Sequence, residues 1–201
     1  MNARKRLVKL LKIGILAFQG AITEHQKMLE QLGVEVVLVK KPTDLSDLVG
    51  LIIPGGESTA IGRLLRSNQM IEPIKQFSKE GKYIFGTCAG LILCGKKTEQ
   101  TQFDEVRLGI IDIEAERNGF GRQKDSFETQ VWMEKIRTDI PAVFIRAPYI
   151  RSMGDSVNAL ASFEGTVVAA ESKTVLVTSF HPELTDNLQV MNYFIEKIQS
   201  N

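Results

Sequence analysis

The sequence predicts an α/β fold: a three-layer sandwich in which helices cover both faces of a mostly parallel sheet, with a small antiparallel extension. Up to about residue 90, short and continuously apolar runs alternate with segments of helical periodicity. Continuous apolar strands are typical of a parallel sheet that is covered on both faces. After residue 95, strand-like segments follow one another with only short polar turns between them, which indicates antiparallel pairing.

The first half of the chain alternates strand and helix. Gly33 and Gly81 stand where the first and third helices should stop. We predict strands at 12–18, 34–39, 50–53 and 83–85, helices at 21–32, 59–65 and 71–77, and a short turn at 42–48. Three loops then follow strands at one edge of the sheet, at residues 19–20, 54–58 and 86–90. In parallel sheets, ligands bind beyond this carboxyl edge.

The second half predicts the antiparallel extension and a closing helix. A polar loop is expected at 95–106. Strands are predicted at 108–116, 126–133, 142–147, 157–161, 167–171 and 175–180, and an amphipathic helix at 187–198. No repeat or linker interrupts the pattern, so we expect one domain over residues 1–201.

Bulk composition excludes several classes of protein. The net charge of +1 gives no support to binding of nucleic acid by overall attraction. Two cysteines without a paired framework favour a reducing, cytoplasmic location. The N-terminus is basic and then apolar, but Lys9 and Lys12 interrupt the apolar run, so we expect neither a signal peptide nor a membrane span.

The chemistry centres on a Gly-x-Cys-x-Gly motif formed by Gly86, Cys88 and Gly90. It is the thiol version of the nucleophile elbow, a sharp strand-to-helix turn that lifts the nucleophile above a helix N-terminus. A buried cysteine beside a glycine turn is the plainer alternative. Zinc-site spacing is absent, Cys94 is interpreted as a small apolar filler, and we expect no metal and no cofactor.

Two histidines could serve as the base. His25 lies in the first predicted helix, where a solvated surface position is expected. His181 follows a strand, and Glu183 lies two residues later, on the same side of an extended chain. A carboxylate that orients one imidazole nitrogen leaves the other free to face a thiol. The pair therefore favours activation of Cys88.

The loop at 54–58, Pro-Gly-Gly-Glu-Ser, has two interpretations that are compatible with each other. It lacks the lysine and the spacing of a phosphate-binding loop. The backbone N–H of Gly56 could hold a developing oxyanion together with the N–H of Ala89. Alternatively, the loop is a tight turn into a helix that is capped by Ser58.

Taken together, these motifs resemble a known family. Gly-Thr-Cys-Ala-Gly at 86–90 and His-Pro-Glu at 181–183 resemble the class I, triad-type glutamine amidotransferases. Further blocks resemble, more narrowly, the glutaminase subunits of pyridoxal 5′-phosphate synthase. They are residues 18–21 (Phe-Gln-Gly-Ala), 24–25 (Glu-His), 54–59 (Pro-Gly-Gly-Glu-Ser-Thr), 116–123 (Glu-Arg-Asn-Gly-Phe-Gly-Arg-Gln), 125–128 (Asp-Ser-Phe-Glu), 144–148 (Phe-Ile-Arg-Ala-Pro) and 179–185 (Ser-Phe-His-Pro-Glu-Leu-Thr).

The resemblance runs from about residue 12 to the C-terminus, leaving residues 1–11 as an N-terminal extension, and implies a flavodoxin-like fold. It implies a catalytic triad of Cys88, His181 and Glu183. The glutamine-binding residues that it implies are Gly56, Glu57, Ser58, Arg117, Ile145 and Arg146. Gly119 departs from the serine that is usual in the family, within the loop that carries Arg117.

The resemblance further implies hydrolysis of L-glutamine through a thioester and delivery of ammonia to a synthase subunit in a hetero-oligomeric complex. In the family, docking turns the peptide that matches Gly55–Gly56 to form the oxyanion hole, and the resemblance implies this behaviour for Gln19, Gly55 and Gly56. The nearest alternative is a glutaminase for another acceptor, in histidine or purine synthesis. A Cys-dependent peptidase-like hydrolase is a more distant alternative, and a regulatory module with an inactive triad would lack one of the three groups present.

Overall fold

The computed structural model of the protein describes residues 11–99, 101–102, 104–117 and 126–200. The helices in these ranges are α1 (Ile22–Gln31), α2 (Ser58–Ser67), α3 (Ile71–Lys79), α4 (Ala89–Cys94) and α5 (Gln189–Gln199), with 3-10 turns at Pro42–Leu45 and Pro182–Leu184. The strands are β1 (Lys12–Leu16), β2 (Glu35–Val39), β3 (Gly50–Ile53), β4 (Tyr83–Thr87), β5 (Ile113–Glu116), β6 (Ser126–Met133), β7 (Thr138–Ile145), β8 (Tyr149–Met153), β9 (Asn158–Phe163), β10 (Thr166–Glu171) and β11 (Val175–Thr178).

The described residues form one large sheet with the order β2-β1-β3-β4-β11-β10-β8-β5, with β9 paired to β10. The first five strands of this order run parallel, and the remaining pairs are antiparallel. The hairpin of β6 and β7 forms a separate two-stranded sheet. The chain goes from β1 outward to β2 and then back across to β3, which makes the carboxyl ends of β1 and β3 a topological switch point.

The core lies in two layers, one on each face of the sheet. One apolar cluster joins Ile15 and Phe85 of the strands to α1 and α5, through residues such as Leu29 and Phe194. The other joins strand residues such as Ile53 to α2, α3 and α4. The parallel strands β3, β4 and β11 are buried along their whole length, as continuous apolar runs require. The α/β class with helices on both faces is confirmed.

The structure differs from the predicted elements most clearly at three places. The strand expected at 108–116 is confined to β5, because the backbone N–H groups of Leu108 and Ile110 bind carbonyls at the end of α4 and not a neighbouring strand. Strand β8 was not predicted, since its sequence alternates poorly. Pro182 opens a 3-10 turn in place of the extended segment expected around His181.

Leu11, at the end of the expected N-terminal extension, packs against the core; residues 1–10 lie outside the described residues. None of the helices in the described ranges has the length and apolarity that a bilayer crossing requires.

Candidate active site

Cys88 lies on a strained turn between β4 and α4, with φ 49° and ψ −102°. A non-glycine residue in such a conformation costs about 1–3 kcal/mol and is found at functional sites. The two glycines of the motif are required by contact. A side chain at Gly90 would collide with the carbonyl oxygen of Ile53, and one at Gly86 would come within 2.7 Å of the Gly90 backbone. The expected elbow is therefore present.

His181 and Glu183 form a close pair next to the thiol. His181 Nδ1 lies 2.8 Å from Glu183 Oε1, and the Glu183 side chain is completely buried. The predicted pairing is present, although the extended geometry expected for it is wrong. Because Pro182 begins a 3-10 turn, the carboxylate folds back onto the ring.

The surroundings of His181 favour its charged form. Burial acts to lower the pKa of His181, but hydrogen bonds to Cys88 and Glu183 and their negative charge outweigh burial and raise it to about 10. Burial acts to raise the pKa of Glu183, but the hydrogen bond and the positive charge of His181 act against burial, and the pKa of Glu183 is lowered. Glu183 is thus an ionised acceptor that keeps the ring oriented and protonated near neutral pH.

The loop after β3 lies close to His181 and Cys88 because it has glycine at positions 55 and 56. A side chain at Gly55 would collide with the ring of His181 and lie 3.3 Å from Cys88 Cβ. Gly56 has φ 155°, in the range that favours glycine. The carbonyl oxygen of Gly55 in turn occupies the space of a side chain at Gly20, which brings the loops after β1 and β3 together.

Glu57, and not Ser58, caps α2. The Glu57 carboxylate accepts hydrogen bonds from the backbone N–H groups of Thr59 (3.0 Å) and Ala60 (2.6 Å). Arg117 binds the same carboxylate at 3.0 Å and also reaches the Thr59 hydroxyl at 3.2 Å. Burial acts to raise the pKa of Glu57, but these N–H groups and Arg117 outweigh it and lower the pKa. The Ser58 hydroxyl is buried without a hydrogen-bond partner in the described residues.

These groups surround a cleft of about 560 Å³. Of the candidate site residues that the sequence singled out, those lining it are Gly55, Gly56, Glu57, Ser58, Cys88, Ala89, Arg117, Ile145, Arg146 and His181. Glu183 lies behind His181 and does not line the cleft. The carbonyl of Ile145 is 3.9 Å from Cys88 Sγ, and Arg146 follows it with φ 42°. Gly119 and the rest of the expected block at 118–123, together with Asp125, lie outside the described residues.

The expectation of a solvated His25 is wrong. His25 is completely buried, and its Nε2 lies 3.3 Å from Thr87 Oγ1 and 3.5 Å from Glu183 Oε1. The signal was present in the helical spacing, because His25 lies three residues after Ile22 and three before Met28 on the buried face of α1. The sequence patterns also give no signal for Thr87, which lies next to the nucleophile. Its role depends on contacts with residues far away in the sequence.

Cys94 is buried in the core, and burial raises the pKa of its thiol. This agrees with its interpretation as an apolar filler. Among the described residues, no group of three His, Cys, Asp or Glu side chains has the arrangement needed to hold a metal ion.

Comparison with known proteins places the chain among glutamine amidotransferases. It is 52% identical over 190 residues to pyridoxal 5′-phosphate synthase subunit PdxT of Oceanobacillus iheyensis, covering 94% of each chain. It is 50% identical over 187 residues to the protein of the same name in Pasteurella multocida, covering 92% of this chain and 96% of the relative.

Solved structures agree in fold. A crystal structure of a glutamine amidotransferase matches with a TM-score of 0.88 and 40% identity, covering 93% of this chain and 98% of the other. The structure of PurLQS from Thermotoga maritima matches with a TM-score of 0.69 at 15% identity, covering 92% of this chain and 98% of the other, which shows the fold alone. A sequence model described as the SNO glutamine amidotransferase family matches residues 15–200. The chain belongs to the SNO glutamine amidotransferase family.

Proposed function

We propose that the chain hydrolyses L-glutamine to L-glutamate and ammonia and delivers the ammonia to the synthase subunit of pyridoxal 5′-phosphate synthase. The observation that carries this proposal is the 2.8 Å contact between His181 and Glu183 beside the elbow cysteine, at the wall of a cleft large enough for an amino acid. The relatives named as PdxT subunits support the identity of the pathway.

The first half-reaction forms a thioester. The Cys88 thiolate attacks the side-chain amide carbon of glutamine, and the N–H groups of Gly56 and Ala89 stabilise the oxyanion that develops. His181, protonated at neutral pH, gives its proton to the departing nitrogen, so the carbon–nitrogen bond breaks and ammonia leaves. One oxyanion donor is typically worth about 3 kcal/mol of transition-state stabilisation.

The second half-reaction regenerates the enzyme. Neutral His181 takes a proton from water, whose oxygen attacks the thioester carbon. The carbon–sulfur bond then breaks, glutamate forms, and the thiolate faces an imidazolium again. Glu183 stays ionised throughout and orients the ring through the same oxygen.

Glutamine would be held at the mouth of the cleft. We propose that Glu57, Ser58 and Arg117 contact the substrate from one side, and that Ile145 and Arg146 contact it from the other. The pairing of Arg117 with Glu57 supplies both charges that a zwitterionic amino acid requires.

Ammonia needs a sheltered path, because free ammonia is protonated in water. A synthase subunit that closes the cleft would supply that path, in a hetero-oligomeric complex in the cytoplasm. We further propose that docking turns the peptide between Gly55 and Gly56 to complete the oxyanion hole. The contact that supports this is the Gln19 side chain, whose oxygen lies beside Gly56.

One experiment tests glutamine hydrolysis and the identity of the ammonia acceptor separately. Ammonia release from glutamine is measured with and without the synthase subunit, and pyridoxal 5′-phosphate formation is measured with glutamine or with ammonium salt. We expect stimulation of glutaminase activity by the partner. Absence of stimulation would contradict docking, and formation of the product only from ammonium salt would point to another acceptor.

Cys88→Ala tests the mechanism, and Cys94→Ala is its matched control. Cys88→Ala should lower ammonia release by about 10³-fold or more while the complex still uses ammonium salt. Cys94→Ala removes a buried thiol outside the cleft and should retain kcat. Glutamine-dependent activity in Cys88→Ala would refute the proposed nucleophile.

A further inference from the structure

Thr87 is the last residue of β4 and is completely buried, one position before the nucleophile. Three groups lie within hydrogen-bonding distance of its hydroxyl oxygen. They are the backbone N–H of Gly55 at 3.0 Å, Nε2 of His25 at 3.3 Å and Oε1 of Glu183 at 3.3 Å. Thr87 does not line the cleft.

A hydroxyl has one hydrogen to donate and two lone pairs that accept. The N–H of Gly55 can only donate, and the ionised carboxylate of Glu183 can only accept. The Thr87 O–H therefore donates to Glu183, and its second lone pair accepts from His25. In this assignment the hydroxyl donates its one hydrogen and accepts a hydrogen bond at each of its two lone pairs.

The hydrogen bonds of the Thr87 hydroxyl also determine the tautomer of His25. Its Nε2 carries the hydrogen, which leaves Nδ1 as an unprotonated acceptor, and Nδ1 has no partner among the described residues. A protonated His25 would place a second N–H donor there without an acceptor, which is costly in the interior. Burial also lowers the pKa of His25, in agreement with a neutral ring.

We propose that Thr87, supported by the neutral ring of His25, is a positioning residue that connects the carboxylate of Glu183 to the loop at 54–58, which carries the proposed oxyanion donor Gly56. One hydroxyl holds both Oε1 of Glu183, which orients the base, and the N–H of Gly55, which begins the Gly55–Gly56 segment. The inference rests on the proposed glutaminase activity, since it assigns a role within that reaction.

The hydroxyl acts on the transition state and not on substrate binding, because no part of Thr87 reaches the cleft. Thr87→Val keeps the shape of the side chain and removes the hydroxyl. We expect kcat for ammonia release by the complex to fall about 10- to 100-fold, with KM for glutamine within about threefold of the wild type.

Two variants separate positioning from packing. Thr87→Ser retains the hydroxyl but loses a buried methyl group, so it should lose stability while kcat stays within about threefold of the wild type. Tyr193→Phe is the matched control, because it removes a half-buried hydroxyl that donates to the Glu171 carboxylate at 2.8 Å, away from the cleft. It should lose stability and retain kcat. Equal losses of kcat in all three variants, or no loss in Thr87→Val, would overturn the proposal.

A second readout does not depend on glutaminase activity. At about pH 7, nitrogen NMR of the histidine rings should give the neutral Nε2–H tautomer for His25. A protonated or Nδ1–H ring would overturn the assignment. If the wild type released no ammonia, the proposed function would fail, but the spectrum would still decide the hydrogen-bond network.

Discussion

His25 and His181, the two histidines of the chain, meet at a single atom, Oε1 of Glu183, at 3.5 Å and 2.8 Å. Their pKa values move in opposite directions. Burial lowers the pKa of His25, whereas the bonds of His181 to Cys88 and Glu183 outweigh burial and raise its pKa to about 10. The carboxylate thus lies between a neutral ring and a charged ring.

This asymmetry predicts the charge state of His181 in solution. At about pH 8, nitrogen NMR should find both ring nitrogens of His181 protonated. In Cys88→Ala, His181 loses one of the two groups that raise its pKa, so its titration midpoint should fall towards neutrality. The matched variant Cys94→Ala should leave the midpoint unchanged. A midpoint near 6.5 in the wild type would contradict the proposed ion pair.

The raised pKa of His181 also predicts how stability depends on pH. Its ordinary value is 6.5 and its folded value is about 10. The stabilisation that it contributes is therefore complete below about pH 6.5 and is lost as the pH rises through about 10. We expect the difference in free energy of unfolding between the wild type and His181→Gln to shrink over this range. Urea unfolding at several pH values measures it, and a difference that grows with pH would have the wrong sign.

How much of this site the sequence could predict depends on how local each feature is. The elbow was predictable because its requirements lie within five residues: side chains at Gly86 and Gly90 would collide with the backbone, so both positions need glycine. The three loops at one sheet edge were predictable because parallel strands end together. The alternative in which Ser58 caps α2 is wrong, because the capping residue depends on where the chain enters the first helical turn, and in the structure that residue is Glu57.

Contacts between distant segments were not predictable in the same way. His25 was expected on the surface because its side chain is polar, although its spacing matches the buried face of α1. Only the fold shows that this face brings it to Thr87 and Glu183. A buried polar side chain is accepted there because partners on other elements satisfy it.

The position of Arg117 predicts that its removal weakens glutamine binding without changing kcat or stability. It lines the cleft and binds Glu57 at 3.0 Å, but both side chains are more than a third exposed, so the pair adds little to stability. Arg117→Ala should raise KM for glutamine about tenfold or more, with kcat within about threefold and the free energy of unfolding within about 0.5 kcal/mol. Steady-state kinetics of the complex and urea unfolding measure these quantities.

The control for Arg117 is Arg63→Ala, which removes an exposed arginine from α2 that does not line the cleft. It should change neither constant. Arg117→Lys keeps the charge but loses the fork that contacts Glu57 and Thr59 together, so its KM should lie between those of the wild type and Arg117→Ala. An unchanged KM in Arg117→Ala would exclude contact with glutamine.

The position of Gly55 predicts that a methyl group added there lowers activity while the protein still folds. In Gly55→Ala, the new side chain would meet the ring of His181 and lie 3.3 Å from Cys88 Cβ. The ring is held from behind by Glu183, so the collision should displace either the base or the loop. Because a misplacement of about 1 Å can cost about 10²-fold, we expect kcat to fall by at least that factor.

The comparison for Gly55 is Gly81→Ala, at an exposed turn after α3 with φ 77° and no atoms near the new side chain. Adopting a left-handed conformation costs an alanine about 1–2 kcal/mol, so Gly81→Ala should lose stability and retain kcat. Gly55→Ala should lose kcat even where its circular dichroism spectrum remains native. If kcat in the two variants instead followed their stability alone, the approach of Gly55 to His181 would have no catalytic consequence.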